Sequence, residues 1–296
     1  MNTVTSIGEI LYDIFPESKT LGGASFNFIF HVIKLTGKGN FVSRIGQDEC
    51  GKQILEFFSE NNLPDEFIQS DPVHPTGESI ALLDADKVPS WEIKTAVAYD
   101  YIEMKDEIER LIKENTDCLY FGTLAQRNIT TRETIHHFFN KDLKYFCDLN
   151  IRQNFYTKDL IEDCIKACSI LKLNIEELHL VNTLLLNKNF DTYETPKRLL
   201  NEYSIERLCV TYGDQGAIIF EGNLNSHYKL KVDNVVDTVG AGDAYAAVFC
   251  IGYLNGWDIE KTNELASNFA GEIVKINGAL SQDPSLYEKY KELVNE

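Results

Sequence analysis

Short apolar runs alternate with amphipathic stretches along most of the chain. Short apolar runs predict strands, for example at Ile170–Asn174 and Arg207–Gly213. The amphipathic stretches predict helices, and Thr157 is placed to cap the one that follows it. Repeated alternation of strand and helix predicts an α/β fold: a doubly wound, mainly parallel sheet flanked by helices, which binds ligands beyond the carboxyl ends of its strands. The three clearest strand–helix pairs are Asn40–Gly46 with Glu49–Glu60, Asp117–Thr123 with Thr131–Asn140, and Lys144–Leu149 with Thr157–Ser169.

Two regions depart from this alternation. Ile10–Phe15 and Glu78–Val97 look like strands without helices between them. Within the second region, Glu78–Asp86 and Trp91–Ala98 flank a Lys-Val-Pro turn, as in a hairpin. A small β-sheet beside the core is therefore predicted, either as a lid over a site or as a structural edge. The expected organisation is a single domain of residues 1–296 whose lid segments are about residues 9–22 and 76–101.

Composition narrows the choice of partners. The chain has 28 Lys and Arg against 46 Asp and Glu, a formal charge of −18, which argues against nucleic acid or a membrane surface as partner. A small anion can still bind where backbone amides converge. The N-terminal residues MNTVTSIGEI do not look like a signal peptide, and the apolar run Ala244–Leu254 is too short to span a bilayer. We therefore expect a cytoplasmic protein. Its seven cysteines form no CxxC motif, so we expect no structural metal.

The strongest local signal is the segment Asp237–Asp243, DTVGAGD, which runs directly into an apolar helical stretch. Its glycines allow a ligand close to the backbone, and the helix that follows directs its free N–H groups to the same place, which makes an anion site. Asp243 then has two interpretations. It is either a base that takes a proton from a hydroxyl attacking phosphorus, or a first-turn residue that interacts favourably with the helix dipole.

DTVGAGDA resembles the C-terminal signature, DTxGAGD, of the PfkB (ribokinase-like) family of carbohydrate kinases. Near the other end of the chain, GGASFN at residues 22–27, followed by RIGQD and Gly51, resembles the N-terminal signature of that family. The resemblance implies a ribokinase-like fold and makes Asp243 the catalytic base, with the amides of Gly240, Ala241, Gly242 and Asp243 around the transferred phosphoryl group. It also implies a sugar site that contains Asp13, Gly22, Gly23 and Asn27.

Further motifs in the middle of the chain match the same family. In DLNIR, Arg152 is expected to point into the active site, or else to form a surface ion pair. In NIEE, Asn174 and Glu177 match the N-x-x-E element that arranges Mg²⁺ beside the phosphates, often through water; Glu177 is also a first-turn helix residue. The residues that match nucleotide-binding positions are Thr211, Gly213 and Gly216 in TYGDQG and the separate Asn268. Asp237 matches the place where some family members hold K⁺.

The resemblance therefore implies an ATP- and Mg²⁺-dependent sugar kinase acting on a primary hydroxyl. The segments GEILYDIFP, GGASFNF, HPTGE and DLNIR are most similar to the fructokinase branch, so fructose is the first choice of substrate. The alternatives are a 2-keto-3-deoxygluconate kinase, another sugar or nucleoside kinase of the family, and a non-catalytic sugar-binding protein on the same fold. An exposed apolar face of the lid predicts a homodimer. The six histidines are assigned no catalytic role.

Overall fold

A computed structural model describes residues 2–83, 89–139 and 142–295. Its strands, numbered in chain order, form two sheets of nine and four strands. The strands are β1 (Val4–Ile7), β2 (Leu11–Ile14), β3 (Lys19–Gly22), β4 (Asn40–Gly46), β5 (Ile68–Asp71), β6 (Gly77–Leu83), β7 (Pro89–Ile93), β8 (Cys118–Phe121), β9 (Lys144–Asp148), β10 (Ile170–Asn174), β11 (Arg207–Thr211), β12 (Ala217–Glu221) and β13 (Leu224–Tyr228).

The larger sheet has the strand order β13-β12-β11-β10-β9-β8-β1-β4-β5. Its pairs are parallel from β11 through to β5, and antiparallel between β11 and β12 and between β12 and β13. The smaller sheet has the order β3-β2-β6-β7 and is assembled from two separate stretches of chain. The mainly parallel sheet predicted from the sequence, together with a small separate sheet, is thus confirmed.

Helices cover both faces of the larger sheet. Successive side chains of a strand point to opposite faces, and on β8 Cys118 and Tyr120 pack into one apolar cluster while Leu119 and Phe121 pack into another. The first cluster contains residues of α1, α2, α8, α9 and α10, and the second contains residues of α3 to α7. The helices are α1 (Ala24–Thr36), α2 (Glu49–Glu60), α3 (Asp106–Asn115), α4 (Ile129–His136), α5 (Lys158–Ala167), α6 (Ile175–Val181), α7 (Glu194–Tyr203), α8 (Ala241–Leu254), α9 (Ile259–Ile273) and α10 (Pro284–Asn295).

Several boundaries follow the sequence prediction closely. The strands β4 and β10 and the helix α2 have the predicted bounds. Thr157 caps α5, because its side-chain oxygen accepts a hydrogen bond from the Leu160 amide at 3.1 Å. In the described part of the chain, no helix is both long enough and apolar enough to cross a membrane.

Other boundaries differ from the prediction. The helix expected at Thr131–Asn140 begins at Ile129, because Asn128 supplies an N-cap that accepts from the Thr130 amide, and it ends at His136; Asn140 lies outside the described residues. The second lid strand ends at Ile93 rather than Ala98. The strands expected at 117–123, 144–149 and 207–213 end earlier, at Phe121, Asp148 and Thr211.

The turn of the predicted hairpin is only partly described. Pro89 begins β7 instead of lying in the turn, which suits a residue that has no N–H to donate. Lys87 and Val88, the rest of the expected turn, lie outside the described residues. The strand β3, which pairs with β2, was not predicted.

Candidate active site

A cavity of about 630 Å³ lies at the carboxyl ends of the central strands, between the two sheets. β9, β10 and β11 end at Asp148, Asn174 and Thr211, and all three residues line it. The parallel register places Lys172 beside Asp148 and Asn174 beside Thr211, so their side chains meet at one edge. The smaller sheet contributes Leu11, Asp13, Ser79, Trp91 and Ile93 to the opposite wall.

The segment before α8 forms one end of the cavity. Gly240 has a φ of 76°, and a Cβ there would lie 2.3 Å from the Cβ of Ala279, so only glycine fits. α8 begins at the next residue, and the first N–H groups of a helix have no partner within it. Asp237 fixes the segment, because its two carboxylate oxygens accept hydrogen bonds from the amides of Val239 and Gly278, each at 3.0 Å. The arrangement supplies N–H groups to an anion in the cavity.

Asp243 stands in the first turn of α8 and faces the cavity. Its carboxylate accepts a hydrogen bond from Nδ2 of Asn27 on α1 at 2.8 Å. Burial raises the pKa of Asp243 to about 7; the hydrogen bond from Asn27 and the charges of Lys172 and Arg152 lower it, while the charge of Asp148 raises it further. A carboxylate with this pKa can accept a proton near neutral pH.

A buried ion pair lies beside this carboxylate. The Nζ atom of Lys172 is 2.8 Å from Oδ2 of Asp148, with side chains 8% and 3% exposed. Burial lowers the pKa of Lys172, but the charge and hydrogen bond of Asp148 outweigh it and leave the pKa raised. Sequence reasoning missed both residues. The available signal was a lysine inside the otherwise apolar strand β10, because a charge buried in a strand requires a partner.

The opposite end of the cavity is lined by acidic and small polar side chains. Asp13 on β2 faces Ser79 on β6 in the strand register, and Gly22 lies beside the Asp13 carboxylate. Burial raises the pKa of Asp13 to about 6, although the Ser79 hydroxyl and the charge of Arg152 lower it. Glu9 is fully buried and accepts hydrogen bonds from the amide and the hydroxyl of Ser25. Glu9 was also missed.

The loop after β9 brings Arg152 to this cavity. Arg152 is exposed and lines the wall, as its place after a parallel strand predicts. The nearby Glu177 accepts hydrogen bonds from the amides of Ile151 at 2.7 Å and Asn174 at 2.8 Å. Asn174 in turn accepts from the Glu177 amide, which completes a capping box at the start of α6.

Ten residues singled out from the sequence line one cavity: Asp13, Gly23, Asn27, Arg152, Asn174, Glu177, Thr211, Gly240, Gly242 and Asp243. Among the described residues, other candidates lie outside the cavity lining: Gly22, Gly213, Gly216, Asp237, Ala241 and Asn268. Gly213 and Gly216 form the turn between β11 and β12, and Asn268 is half-buried on α9.

The chain matches the family model described as pfkB family carbohydrate kinase over residues 5–286. It is 23% identical to the ATP-dependent 6-phosphofructokinase of Thermoanaerobacterium thermosaccharolyticum, covering 96% of this chain and 91% of that protein. A fructokinase from Xylella fastidiosa, solved with bound ATP, matches its fold at a TM-score of 0.84 and 18% identity, covering 99% of each chain. An uncharacterized sugar kinase from Pyrococcus horikoshii, solved in complex with ATP, has a TM-score of 0.80 at 23% identity and covers 98% of this chain and 99% of that one. The structural matches confirm the expected ribokinase-like fold.

Proposed function

The chain belongs to the pfkB family of carbohydrate kinases, and from this premise we propose that it transfers the γ-phosphoryl group of ATP to a primary hydroxyl of a neutral sugar, with fructose as first choice. One observation carries this proposal. A carboxylate with a pKa of about 7, Asp243, faces the same cavity as the start of a glycine-led helix. This arrangement supports a proton acceptor beside a phosphate-binding site, which is what phosphoryl transfer to an alcohol requires.

In the proposed reaction, the sugar hydroxyl oxygen bonds to the γ-phosphorus while the bond between that phosphorus and the β-phosphate oxygen breaks. Asp243 accepts the hydroxyl proton, and ADP leaves. The amides of Gly240, Ala241, Gly242 and Asp243 receive the charge that develops on the phosphoryl oxygens. The buried Oδ1 atom of Asn27 has no hydrogen-bond partner among the described residues, so a sugar hydroxyl would satisfy it. Asp13 and Gly23 are proposed to complete the sugar site, with Gly22 beside Asp13.

The donor set fits a Mg²⁺ ion that is held mainly by ATP phosphates and water. In the described part of the chain, no group of three or more His, Cys, Asp or Glu residues could hold a metal ion. Glu177 and Asn174 line the cavity, but their carboxylate and amide oxygens already accept backbone N–H groups. Both would therefore act on the ion through its water shell, which is common for Mg²⁺. When bound, Mg²⁺ neutralises phosphate charge.

The nucleotide is proposed to extend from this end of the cavity towards Thr211, Gly213 and Gly216, with Asn268 near the adenine. Thr211 supports this proposal, because it lines the cavity and the turn containing the two glycines follows it directly. A monovalent cation beside Asp237 is also proposed. Each Asp237 carboxylate oxygen accepts one N–H group and keeps a lone pair that could bind that ion.

The charge of the cavity favours a neutral sugar. Among the described residues that line it, the cations are Arg152 and Lys172, and Lys172 is paired with Asp148. Lys94, the one cation of the lid segment 91–101, is paired with Glu92 at 2.7 Å and does not line the cavity. A sugar acid or a sugar phosphate would therefore meet the carboxyl groups of the sugar end with a single cation available, and a like charge there is unfavourable.

We expect kcat/KM for fructose to exceed that for 2-keto-3-deoxygluconate by at least about tenfold, which corresponds to roughly 1.4 kcal/mol of transition-state discrimination. With fructose, Arg152 donates to neutral hydroxyls or to the transferred phosphoryl group, and no second cation is required. Initial rates of ADP formation with each sugar give the ratio. A preference for the acid would overturn the choice of fructose and leave the kinase proposal intact.

The rival proposal is a non-catalytic sugar-binding protein on the same fold. Sugar-dependent ADP formation with ATP and Mg²⁺ separates the two, because a binding protein would bind sugar without turnover. A panel of neutral sugars, sugar acids and nucleosides also identifies the branch of the family. Turnover of a nucleoside alone would move the protein to another branch.

The smaller sheet is proposed to act as a lid and as the contact between two copies of the chain. Trp91 on β7 lines the cavity, is 36% exposed, and lies against Phe15 with ring centroids 5.4 Å apart. A partly exposed aromatic pair of this kind suits a contact with a second copy. We expect saturating sugar to slow hydrogen exchange of the amides in β6 and β7. Unchanged exchange would contradict the role of the smaller sheet as a lid.

We also expect light scattering at micromolar concentration to show a dimer. A monomer would contradict the proposed contact between two copies of the chain.

A further inference from the structure

The loop that carries Arg152 has a strained backbone. Asn150 and Gln153 take φ values of 43° and 48°, in the left-handed region that asparagine tolerates and glutamine seldom occupies. Such residues persist when the surrounding structure holds them in place. The contacts that hold this loop therefore set the backbone position from which Arg152 reaches the cavity.

One of these contacts comes from Glu177, at the start of α6. Its Oε1 accepts a hydrogen bond from the Ile151 amide at 2.7 Å, and its Oε2 accepts from the Asn174 amide at 2.8 Å. The residue is 7% exposed. Ile151 immediately precedes Arg152, so one carboxylate joins the end of β10 to the backbone beside the guanidinium.

A carboxylate is the side chain that this place requires. Two N–H groups converge on Glu177, and only a carboxylate presents an acceptor oxygen to each. Glutamine would offer one oxygen and turn an NH₂ group towards the other donor. Burial and the charge of Asp148 raise the pKa of Glu177, so the surroundings oppose the charge while the two N–H groups favour it. The two hydrogen bonds, together with the charge of Lys172, therefore offset the cost of burying this carboxylate beside Asp148.

On the side of the lid, Gln153 also holds the loop. Its Nε2 donates to the backbone oxygen of Trp91 on β7. The loop thus lies between the lid strand and the β10–α6 turn, and Arg152 stands between these two attachments. The charge of Arg152 lowers the pKa of both Asp13 and Asp243, so Arg152 acts on both ends of the cavity.

We propose that Glu177 is a positioning residue that fixes Arg152 in the sugar site through the Ile151 amide, and thereby connects the nucleotide side of the cavity to its sugar side. The proposal rests on the proposed function, in which Arg152 contacts the sugar or the transferred phosphoryl group. Glu177 would then hold the loop of Arg152 in addition to acting on Mg²⁺ through water. Loss of Glu177 then acts on the use of sugar even where the Mg²⁺ requirement is unchanged.

The test compares Glu177→Gln with Glu176→Gln. Glu176 lies in the same first turn of α6 and is exposed, so its variant removes an equal charge and leaves the Ile151 contact intact. We expect Glu177→Gln to raise KM for fructose at least about tenfold, the effect of losing one charge-assisted hydrogen bond. KM for fructose should rise by a larger factor than KM for MgATP or the Mg²⁺ concentration for half-activation, and Glu176→Gln should match wild type.

A double-mutant cycle with Arg152→Ala separates positioning from a general loss of structure. If Glu177 acts through Arg152, Glu177→Gln should change KM for fructose by less than about threefold once Arg152 is removed, because residues in one network are not additive. The proposal is overturned if Glu177→Gln raises KM for fructose by the same factor with and without Arg152. It is also overturned if Glu177→Gln changes only the Mg²⁺ requirement.

Hydrogen exchange supplies a readout that needs no activity. In protein without ligands, we expect the amides of residues 149–153 to exchange faster in Glu177→Gln than in wild type and Glu176→Gln. Unchanged exchange would count against the positioning role. If Glu177→Gln does not fold, Glu177→Asp keeps both acceptors on a shorter side chain and should give the same changes to a smaller degree; wild-type behaviour of that variant would overturn the proposal. Wild-type protein that forms no ADP with any sugar would instead overturn the proposed function.

Discussion

Asp243→Asn is expected to lower kcat for sugar phosphorylation by about 10²–10⁴-fold, the range that general-base catalysis contributes. Asparagine has nearly the same shape and can still accept the hydrogen bond from Asn27, but it cannot take the hydroxyl proton. KM for the sugar should change much less, because proton acceptance matters chiefly in the transition state. ADP formation at saturating MgATP and sugar measures the effect.

The control for this prediction is Glu260→Gln, which removes an exposed first-turn carboxylate from α9. It tests the simpler interpretation, in which Asp243 only interacts favourably with a helix dipole, an effect of about 0.3–1 kcal/mol on stability. Glu260→Gln should leave kcat unchanged. If Asp243→Asn keeps more than a few per cent of wild-type activity, the assignment of Asp243 as base is wrong.

The raised pKa of Asp243 also sets the pH dependence of the wild type. Its proton-accepting form accumulates as the pH rises through about 7, so kcat/KM should increase with pH below that value and level off above it. In Asp243→Asn, the residual kcat/KM should lack this rise. A rise that persists in the variant would place the titrating group elsewhere.

Lys172→Met is expected to destabilise the protein by about 3–5 kcal/mol, because it leaves the Asp148 carboxylate buried without its partner. The double variant with Asp148→Asn also removes the unpaired buried carboxylate. It should recover more than half of the lost free energy of unfolding. Urea unfolding of both variants at neutral pH measures the two free energies of unfolding.

Lys166→Met is the matched control for the lysine variant. Lys166 pairs with Glu162 on the surface of α5 at 2.8 Å, and its side chain is 57% exposed. Exposed pairs are screened by water and salt and contribute little, so this variant should remain close to wild type in stability. An equally small loss in Lys172→Met, or no recovery in the double variant, would show that the buried pair does not have the expected role.

Much of the fold could be predicted because its signals are local. The strands β4 and β10 are largely buried on both faces, and the predicted cap Thr157 acts on the amide of Leu160, three residues away. The edge strand β13 was missed because its sequence LNSHY is polar and largely exposed, so no apolar period marks it. β3 lacks such a period as well, and it is held as a strand by its pairing with β2.

The candidate site also contains both residues that the local sequence marks and contacts that only packing decides. The sequence by itself determined the glycine segment before α8 and its Asp243, since the left-handed Gly240 and the helix start depend on neighbouring residues. Family motifs added Asp13 and Asn27, which no local pattern connects to Asp243. That Asn27 reaches the Asp243 carboxylate was decided by the packing of α1 beside α8, and a hydrogen bond between helices so distant in the chain has no local signal.

Only the tertiary structure decided the charge pairing and the positions of the two loops around the cavity. Lys172 meets Asp148 because β9 and β10 pair in one register, and a shift of one residue would turn the lysine to the other face. Glu177 binds the Ile151 amide because α6 and the loop after β9 lie at the same sheet edge. Sequence specifies which side chains carry charge; which partner each one finds follows from long-range strand pairing, because electrostatic energies depend on distances that only the assembled sheet sets.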